Sequence, residues 1–318
     1  MRMNILVTGG AGFIGSHLTK KLAERGDHVI ILDNFNDYYD PQLKRDRIGI
    51  FLKGVDCKLF EGDIRNAKLV EGIFSEEKID KVVHLAAMAG VRNSLDDPVS
   101  YTDINVNGTV ILLEAARKRG VENFVYASSS SVYGKNEKQP FSESDSVDMP
   151  ISPYAASKKA DELFAHVWSH IYGLPTTGLR FFTVYGPWGR PDMALGIFTK
   201  NIFEGKPIEV NNYGKMSRNF TYVDDIVSGI LVALDGNFPY EVMNIGGDAE
   251  NTLLEFIEEI EKNSGKKAEK KMMPLPPGDV VSTVADISKL RALGWAPSTR
   301  IDVGIKNFVD WYREYYRV

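Results

Sequence analysis

Short apolar runs, separated by helical stretches, organise the chain up to residue 182. They occupy residues 5–7, 29–32, 55–60, 81–85, 124–127 and 176–182. Apolar runs without polar alternation are typical of strands buried on both faces, and strands that alternate with helices pair in parallel. The pattern therefore predicts an α/β fold, a doubly wound parallel sheet covered by helices on both faces.

This regular alternation breaks up after residue 182. The pattern there predicts helices at 198–204 and 253–264, a helix ending near 234, a strand at 242–245 and a helix from 303 to 316. We therefore predict two domains: residues 1–182, to which 224–247 return, and a smaller α/β C-terminal domain, 183–318. The proline-rich stretch 274–279 has folded-looking sequence on both sides, which favours a loop over a domain linker.

A glycine-rich segment joins the first predicted strand to the first helix, which is expected from about 16 to 25. It reads Thr8-Gly9-Gly10-Ala11-Gly12-Phe13-Ile14-Gly15, and Asp33 follows the second strand. These glycines permit a close approach of the backbone to a pyrophosphate at the helix N-terminus, and the acid suits the ribose hydroxyls of NAD. The context predicts a Rossmann-type NAD site. The alternative is a glycine-rich turn without a ligand.

Polar or small residues follow the other predicted strands, at the edge where open α/β sheets bind ligands. Asp63 either accepts a hydrogen bond from adenine or caps the next helix. Small residues at 86–90 let the backbone approach a cofactor, and Arg92 either contacts substrate or lies in a polar loop. Four serines at 128–131 end the fifth strand, where a flexible linker is not expected. His84 lies within a strand, and we expect it to be packed rather than catalytic.

Tyr154 and Lys158 lie four residues apart in a helix that Pro153 opens, so their side chains share one face. A lysine ammonium in that position favours the phenolate form of the tyrosine, and a phenol that loses its proton is a general base. The spacing alone is common, and the alternative is an exposed aromatic ring beside a lysine stem. Next to an NAD site, the pair indicates proton transfer coupled to hydride transfer.

Composition limits the other possibilities. The 318 residues are 43% hydrophobic and 25% charged, which is typical of a globular protein, and a net charge of -5 argues against nucleic-acid binding. Cys57 is the only cysteine, which excludes an intrachain disulfide and a cysteine-based metal site, and we expect no metal. We recognise neither a signal peptide nor an apolar stretch of about 20 residues, so we expect a cytoplasmic protein that does not bind membranes.

In combination, these motifs resemble the extended short-chain dehydrogenase/reductase family over almost the whole chain. The resemblance is carried by the glycine loop, Asp33, Asp63-Ile64, His84-Leu85-Ala86-Ala87, Asn105, the serines at 128–131 and the pair Tyr154 and Lys158. Within that family the chain is similar to NAD-dependent nucleotide-sugar epimerases, and most of all to UDP-glucuronate 4-epimerases. The segments that carry this narrower resemblance are 37–41, 89–92, 128–134 and 178–194.

The resemblance implies a set of site residues. Those implied to bind NAD are Gly9, Gly12, Phe13, Ile14, Gly15, Asp33, Asn34, Asp63, Ile64, Leu85, Ala86, Ala87, Ala89, Asn105, Ser128, Tyr154 and Lys158. Those implied to act in catalysis are Tyr154, Lys158, Ser129, Ser130 and Ser131. Those implied to bind a UDP-sugar are Arg92, Ser129, Tyr154, Thr183, Tyr185, Arg190, Arg218 and Asp279.

The implied reaction is a reversible C4 epimerisation of UDP-glucuronate to UDP-galacturonate through a 4-keto intermediate, with tightly bound NAD. Thr183 stands where galactose-type epimerases have asparagine, and a hydroxyl there with Arg190 nearby suits a sugar carboxylate. Ser130 and Ser131 stand where 4,6-dehydratases of the family carry an Asp-Glu pair, which argues against dehydration. Decarboxylases of the family tend to carry glutamate in place of Ser131.

The alternatives that stay open are a UDP-glucose/galactose-type epimerase, a UDP-glucuronate decarboxylase and a non-catalytic NAD-sensing protein. Arg190 and Arg218 are alternatively surface charges. The sequence departs from the galactose-type pattern at Pro276, where those enzymes place an arginine that holds the diphosphate, so Arg218 or Arg92 is expected to take that role. Family likeness also implies a homodimer formed through the helices at 105–119 and 154–172.

Overall fold

A seven-stranded parallel sheet forms the centre of the molecule, in a computed structural model that describes residues 2–276 and 281–318. The strands are β1 (Asn4–Thr8), β2 (His28–Asp33), β3 (Cys57–Glu61), β4 (Lys81–His84), β5 (Asn123–Ser129), β6 (Thr176–Phe181), β7 (Thr183–Tyr185), β8 (Ile208–Val210), β9 (Ser217–Arg218), β10 (Phe220–Tyr222), β11 (Tyr240–Ile245), β12 (Asn251–Thr252), β13 (Lys270–Met272) and β14 (Ser282–Thr283). The helices are α1 (Phe13–Glu24), α2 (Pro41–Asp46), α3 (Ala67–Glu76), α4 (Val91–Asp96), α5 (Pro98–Thr102), α6 (Gly108–Arg119), α7 (Pro153–Tyr172), α8 (Ala194–Glu204), α9 (Val223–Gly236), α10 (Leu253–Ser264), α11 (Ser288–Ala292) and α12 (Ile301–Tyr316). Short π-helical turns cover Arg47–Phe51 and Asp103–Asn107, and 3₁₀ turns cover Ser130–Tyr133 and Asn211–Gly214.

The strand order of the central sheet is β3-β2-β1-β4-β5-β6-β11, and its pairings are parallel. The first six strands follow the Rossmann order, which confirms the predicted fold class. The order reverses between β1 and β4, and in open α/β sheets ligands bind in the crevice at that point. Predicted and observed strands of this sheet agree to within about two residues at each end.

Helices cover both faces of this sheet because successive residues of a strand point to opposite faces. In β1, Ile5 and Val7 belong to the apolar core beneath α1 and α9. The intervening Leu6 belongs to the core beneath α3, α6 and α7. Burial of each such side chain stabilises the fold by about 1.5–3 kcal/mol. Because both faces of the sheet are covered, consecutive residues of a strand are buried, which explains the apolar runs in the sequence.

The C-terminal part of the chain builds most of a further hydrophobic core, to which Phe13 of α1 also contributes. Its members include Phe198 of α8, Phe256 of α10 and Phe308 of α12. Between α8 and α10 the chain returns to the central sheet, where α9 packs on one face and β11 pairs with β6. The division into two domains at residue 182 stays a prediction.

Three helix starts differ from the predictions by three or four residues, and the largest difference is at α8, which begins at Ala194 rather than at residue 198. α1 begins at Phe13 rather than near residue 16, because extended backbone at Gly12 (φ -72°, ψ 175°) allows the last residues of the glycine loop to form its first turn. The helix predicted from residue 105 begins at Gly108, and the π-helical turn 103–107 precedes it. The predicted loop 274–279 is irregular at 274–276, and its other residues lie outside the described ranges.

Among the residues described, no helix has both the length and the apolar character needed to cross a membrane. The same ranges contain no group of three or more His, Cys, Asp or Glu side chains placed to hold a metal ion.

Candidate active site

The glycine loop between β1 and α1 lines a large cleft at the carboxyl ends of the central strands. Gly9 has φ +71°, and a Cβ atom there would lie 2.8 Å from the Ala86 backbone nitrogen. A Cβ atom at Gly15 would overlap the Gly9 carbonyl oxygen. A side chain at Gly9 would push the glycine loop away from the loop after β4, and one at Gly15 would push it away from α1. Glycine at position 15 therefore keeps the loop backbone close to the N-terminus of α1. This arrangement fits the pyrophosphate of a dinucleotide.

Asp33 ends β2 and lines the cleft with its carboxylate held by backbone N–H groups. The Ala11 N–H donates to Oδ2 (3.0 Å) and the Phe35 N–H donates to Oδ1 (2.9 Å). Burial raises the pKa of Asp33 above its ordinary value, and these hydrogen bonds together with the Lys44 ammonium oppose that shift. Each carboxylate oxygen retains a second lone pair, so Asp33 can also accept hydrogen bonds from ribose hydroxyls.

Asp63 also lines the cleft, and the structure excludes one of its two predicted roles. The N-cap of α3 is Asn66, whose side chain accepts from the Leu69 N–H (3.2 Å), so the prediction that Asp63 caps this helix is wrong. Asp63 accepts from Asn34 Nδ2 (3.1 Å) and from the Arg65 guanidinium (2.8 Å). Hydrogen bonding to Arg65 lowers the pKa of Asp63 to about 2, which leaves a carboxylate facing the cleft.

The loop after β4 brings apolar, mostly small residues to the cleft. Those that line it are Leu85, Ala86, Ala87, Ala89 and Gly90. Asn105, expected to contact the cofactor, lies behind this loop and is fully buried. Its amide accepts from the Met88 N–H (2.8 Å) and donates to the Met88 carbonyl (3.0 Å) and to Ser157 Oγ (2.9 Å). The structure therefore gives Asn105 a positioning role, because its amide groups are committed to the loop and to α7.

His84 is packed within the sheet, as predicted. It is 2% exposed, and its ring nitrogens bond to Thr8 Oγ1 (2.7 Å) and Thr109 Oγ1 (2.9 Å). Burial lowers the pKa of His84 to about 3, so the ring is neutral near neutral pH.

Tyr154 and Lys158 both line the cleft from α7. Tyr154 is half-buried, and its ring packs edge-on against Tyr101 with centroids 6.2 Å apart. Lys158 is 2% exposed, and its Nζ donates to Asp161 Oδ2 at 3.2 Å. Pro153 occupies the start of α7, as predicted. The two side chains therefore share a cleft with the glycine loop, and the alternative of an exposed ring beside a lysine stem is wrong.

The serines that end β5 form an ordered strand end that lines the cleft. Ser128 is buried and donates to Glu162 Oε1 (2.7 Å). The hydroxyls of Ser129 and Ser131 bond to each other at 2.7 Å, and the chain enters a 3₁₀ turn at Ser130. Because this turn packs against α7, the hydroxyls are brought to the helix that carries Tyr154.

A further wall of the cleft comes from α4 and from the segments after β6. The cationic or hydroxyl side chains that line it are Arg92, Thr183, Arg190 and Arg218. The Arg190 side chain is 21% exposed, so it faces the cleft rather than open solvent. Its guanidinium pairs with Asp192 (3.0 and 2.5 Å) and lies 5.2 Å from the centroid of the Tyr38 ring.

One of the predicted substrate contacts that the structure describes does not line the cleft. Tyr185 is 4% exposed and belongs to the C-terminal core, so its assignment as a substrate contact is corrected. Its ring packs edge-on against Phe220, Tyr222 and Phe256, and these aromatic neighbours hold it away from the cleft. Asp279 lies outside the described residues.

Sequence reasoning missed Arg47, which joins two walls of the cleft. Arg47 is fully buried and donates to the Ala11 carbonyl (3.1 Å), to the Trp188 carbonyl (3.0 and 2.7 Å) and to the Tyr39 hydroxyl (2.6 Å). It thereby ties the glycine loop to the segment after β7. The run 44–47 has mixed charge and is typical of a solvated helix face, so no sequence signal marks Arg47 as buried.

These walls enclose one cleft of about 1020 Å³. That volume is at the upper end of the range of roughly 300–1,000 Å³ found for pockets that hold one drug-sized ligand. It suits a dinucleotide at the glycine loop together with a second ligand near Thr183 and Arg218. The class is therefore that of a Rossmann-type enzyme in which a Tyr–Lys pair transfers a proton beside a bound dinucleotide.

The chain belongs to the NAD dependent epimerase/dehydratase family, whose profile matches residues 5–246. It is 47% identical to UDP-glucuronate 4-epimerase 1 of Arabidopsis thaliana over 99% of this chain and 77% of that protein. It is similar to the solved structure of UDP-glucuronic acid 4-epimerase from Bacillus cereus in complex with UDP-glucuronic acid and NAD (TM-score 0.92, 37% identity, 99% of this chain and 100% of that chain). It is also similar to the UDP-glucose 4-epimerase of Thermotoga maritima with UDP-glucose (TM-score 0.89, 34% identity, 99% of this chain and 100% of that chain).

Proposed function

We propose that this protein is an NAD-dependent nucleotide-sugar 4-epimerase that interconverts UDP-glucuronate and UDP-galacturonate. The observation that carries the proposal is a single cleft lined by the glycine loop with Asp33, by Tyr154 and Lys158, and by Thr183 and Arg190. The similarity to UDP-glucuronate 4-epimerases from a plant and a bacterium supports this choice of substrate.

The residues of the cleft fit NAD. The glycine loop suits its pyrophosphate, Asp33 and Asn34 the adenosine ribose, and Lys158 the nicotinamide ribose. The Asp33 carboxylate would repel the extra phosphate of NADP, because like charges at close range are destabilising. When bound, NAD supplies reversible hydride transfer.

Tyr154 is the general base for the C4 hydroxyl of the sugar. The nearby Lys158 ammonium favours its phenolate form, which takes the hydroxyl proton as C4 is oxidised to a ketone. The phenol returns that proton to the C4 oxygen when the ketone is reduced on its other face, so the cycle is redox-neutral for the sugar. The Ser129 hydroxyl donates to the C4 oxygen. Ser130 or Ser131 supports it, and the Ser131 hydroxyl, which bonds to that of Ser129, can donate its proton to Ser129.

A uronic acid places a further demand on the site. Its 4-keto form is a β-keto acid, which loses CO₂ readily, so the carboxylate must be held where decarboxylation is disfavoured. We assign this restraint to the Thr183 hydroxyl and to Arg190. The diphosphate is assigned to Arg218 and Arg92, which line the same cleft.

One observation favours a neutral hexose as a second candidate substrate. The Arg190 guanidinium already bonds to Asp192 through two nitrogens, and a sugar carboxylate would have to compete with that pair. An uncharged UDP-hexose would not. The similarity to a UDP-glucose 4-epimerase is in line with this alternative.

Proton NMR of the purified protein incubated with UDP-glucuronate, and separately with UDP-glucose, tests the proposal. We expect UDP-galacturonate to accumulate to an equilibrium mixture without added reductant, and UDP-glucose to stay unchanged. Faster conversion of UDP-glucose would favour the hexose epimerase. A UDP-pentose with loss of CO₂ would identify a decarboxylase. Retention of NAD without turnover of either sugar would favour the NAD-sensing alternative.

We further propose a homodimer formed through α6 and α7. Apolar side chains are exposed along one face of α7 at Leu163 (57%), Val167 (43%) and Ile171 (63%), and such a stripe favours association. Light scattering should give twice the chain mass of 35.5 kDa, and changing Leu163 and Ile171 to Glu should give monomers. A monomeric wild type would refute this assembly. A cytoplasmic location is also proposed, because a single cysteine, Cys57, is typical of proteins in a reducing compartment. Cell fractionation tests it.

A further inference from the structure

Asp161 lies three residues beyond Lys158 on α7 and is buried with it. The two residues are 1% and 2% exposed, and Lys158 Nζ lies 3.2 Å from Asp161 Oδ2. A buried carboxylate is costly unless an opposite charge and hydrogen bonds compensate it. The Lys158 ammonium supplies that compensation, so the two groups form a buried ion pair at the wall of the cleft.

The second carboxylate oxygen of Asp161 has no such compensation. Oδ1 is buried, and within residues 2–276 and 281–318 no group hydrogen-bonds to it. Thr109, on the adjacent helix α6, lies beside Asp161. Its hydroxyl donates its proton to the Asn105 carbonyl (2.5 Å). The side-chain hydrogen bonding of Asp161 is therefore directed to Lys158.

Glu162, the next residue on the same helix, shows a different arrangement. Both of its oxygens accept from Arg180 (2.8 and 2.9 Å), and Oε1 also accepts from Ser128 (2.7 Å). Bidentate, multiply bonded pairs of this kind hold elements together, here α7 with β5 and β6. The bond from Lys158 to Asp161 stays within α7, so it orients a side chain instead of joining elements.

The other charged and titratable groups around Asp161 do not replace Lys158 as its partner. They are Glu162 on α7, His84 on β4, Tyr126 on β5 and Arg180 on β6. Burial lowers the pKa of His84 to about 3 and raises that of Tyr126, so both are neutral near neutral pH. The opposite charges of Arg180 and Glu162 compensate each other in their ion pair. Burial also raises the pKa of Asp161 to about 6, and the Lys158 ammonium opposes the shift.

We propose that Asp161 is a positioning residue that orients the Lys158 ammonium and sets the net positive charge that reaches Tyr154. This inference rests on the roles given to Tyr154 and Lys158 in the proposed function. A carboxylate beside an ammonium favours the charged lysine and weakens its attraction for a phenolate. Replacing Asp161 by a neutral residue therefore lowers the pH at which Tyr154 ionises and the pH at which Lys158 loses its proton.

A titration without substrate tests the proposal directly. For each protein, the ultraviolet difference from the same protein carrying Tyr154→Phe, recorded against pH, reports the ionisation of Tyr154. In Asp161→Asn and in Asp161→Ala we expect its midpoint to move down by about one pH unit. Both limbs of the pH profile of kcat should move in the same direction. Because two neutral variants are used, a folding defect in one of them leaves the other to decide.

The background variant Lys158→Met distinguishes positioning from a general effect of charge or packing. With the ammonium absent, the unpaired buried carboxyl keeps its proton to a higher pH, so adding Asp161→Asn should move the Tyr154 midpoint by less than it does when Lys158 is present. Glu114→Gln, on the surface of α6, serves as a charge control that should not move it. An unchanged or raised midpoint in the neutral variants, or an equal shift in the Lys158→Met background, overturns the proposal. Failure to turn over UDP-glucuronate would overturn the proposed function and leave this titration interpretable.

Discussion

The two halves of the cleft are built in different ways. The cofactor half depends on the backbone: glycines at 9, 12 and 15 and the N–H groups that hold Asp33. The substrate half depends on side chains such as Thr183 and Arg190, carried by short strands and loops with a separate core. Backbone requirements appear in the sequence as fixed spacings, whereas side-chain sites depend on where distant segments meet. We therefore expect binding in the cofactor half to be more sensitive to added side-chain volume, and binding in the substrate half to be more sensitive to the loss of functional groups.

Tyr154 lies where both halves contribute, and Tyr154→Phe should have the largest effect on activity. It removes the general base, which is worth about 10²–10⁴-fold in rate, while the ring and its packing against Tyr101 remain. Epimerisation followed by NMR should fall by that factor, and the NAD content of the purified variant should stay at the wild-type level. Turnover close to wild type would show that another group is the base.

A pair of glycine substitutions tests whether the cofactor half is limited by backbone space. In Gly15→Ala the new Cβ overlaps the Gly9 carbonyl, and we expect a loss of about 3 kcal/mol in the free energy of unfolding together with loss of bound NAD. Gly72→Ala is the matched control in α3, where a Cβ meets nothing within 4 Å, and it should stabilise by about 0.5–1 kcal/mol. Urea unfolding and NAD content measure both effects. Equal behaviour of the two variants would contradict this account.

His84 provides a smaller, pH-dependent test in the cofactor half. Its pKa is about 3 in the folded protein against an ordinary 6.5, so the unfolded chain binds more protons between these values. Stability contributed by neutral His84 is therefore lost as pH falls from about 6.5 towards 3. His84→Gln should reduce the change in unfolding free energy between about pH 7 and pH 5 by about 2 kcal/mol, measured by urea denaturation. An undiminished pH dependence would argue against this assignment.

Thr183→Ala should have the smallest effect and should act on product distribution rather than on folding. Loss of one hydrogen bond, worth about 1 kcal/mol, would increase the fraction of UDP-pentose several-fold if Thr183 restrains the sugar carboxylate. Thr183→Ser keeps the hydroxyl and should give a clean product. Clean epimerisation by the alanine variant would remove Thr183 from this role.

The fold and the cofactor half could be predicted because they depend on local rules. Apolar runs marked the sheet, glycine spacing marked the loop, and the buried strand position of His84 marked it as packed. Positions that depend on tertiary contacts could not be predicted in this way. The Asn105 side chain bonds to Met88 behind the loop and does not line the cleft, and Tyr185 is buried in the aromatic C-terminal core.

Some residues carried no usable sequence signal at all. Arg47 lies in a run of mixed charge that suggests a solvated helix, yet it is fully buried. Asp161 follows Lys158 by three residues, and oppositely charged residues at this spacing also form pairs on exposed helix surfaces. Only the packing of α7 against its neighbours shows that both partners are out of water.

The return of the chain to β11 has a consequence for anyone who wishes to divide or recombine this protein. A fragment ending at residue 182 would lack β11, and β6 would present unpaired N–H and C=O groups at its open edge, which favours aggregation. It would also lack α9, whose Ile226 and Ile230 cover one face of the sheet. Exchange of substrate specificity with a relative should therefore leave residues 223–245 in place and replace the segments on either side of them.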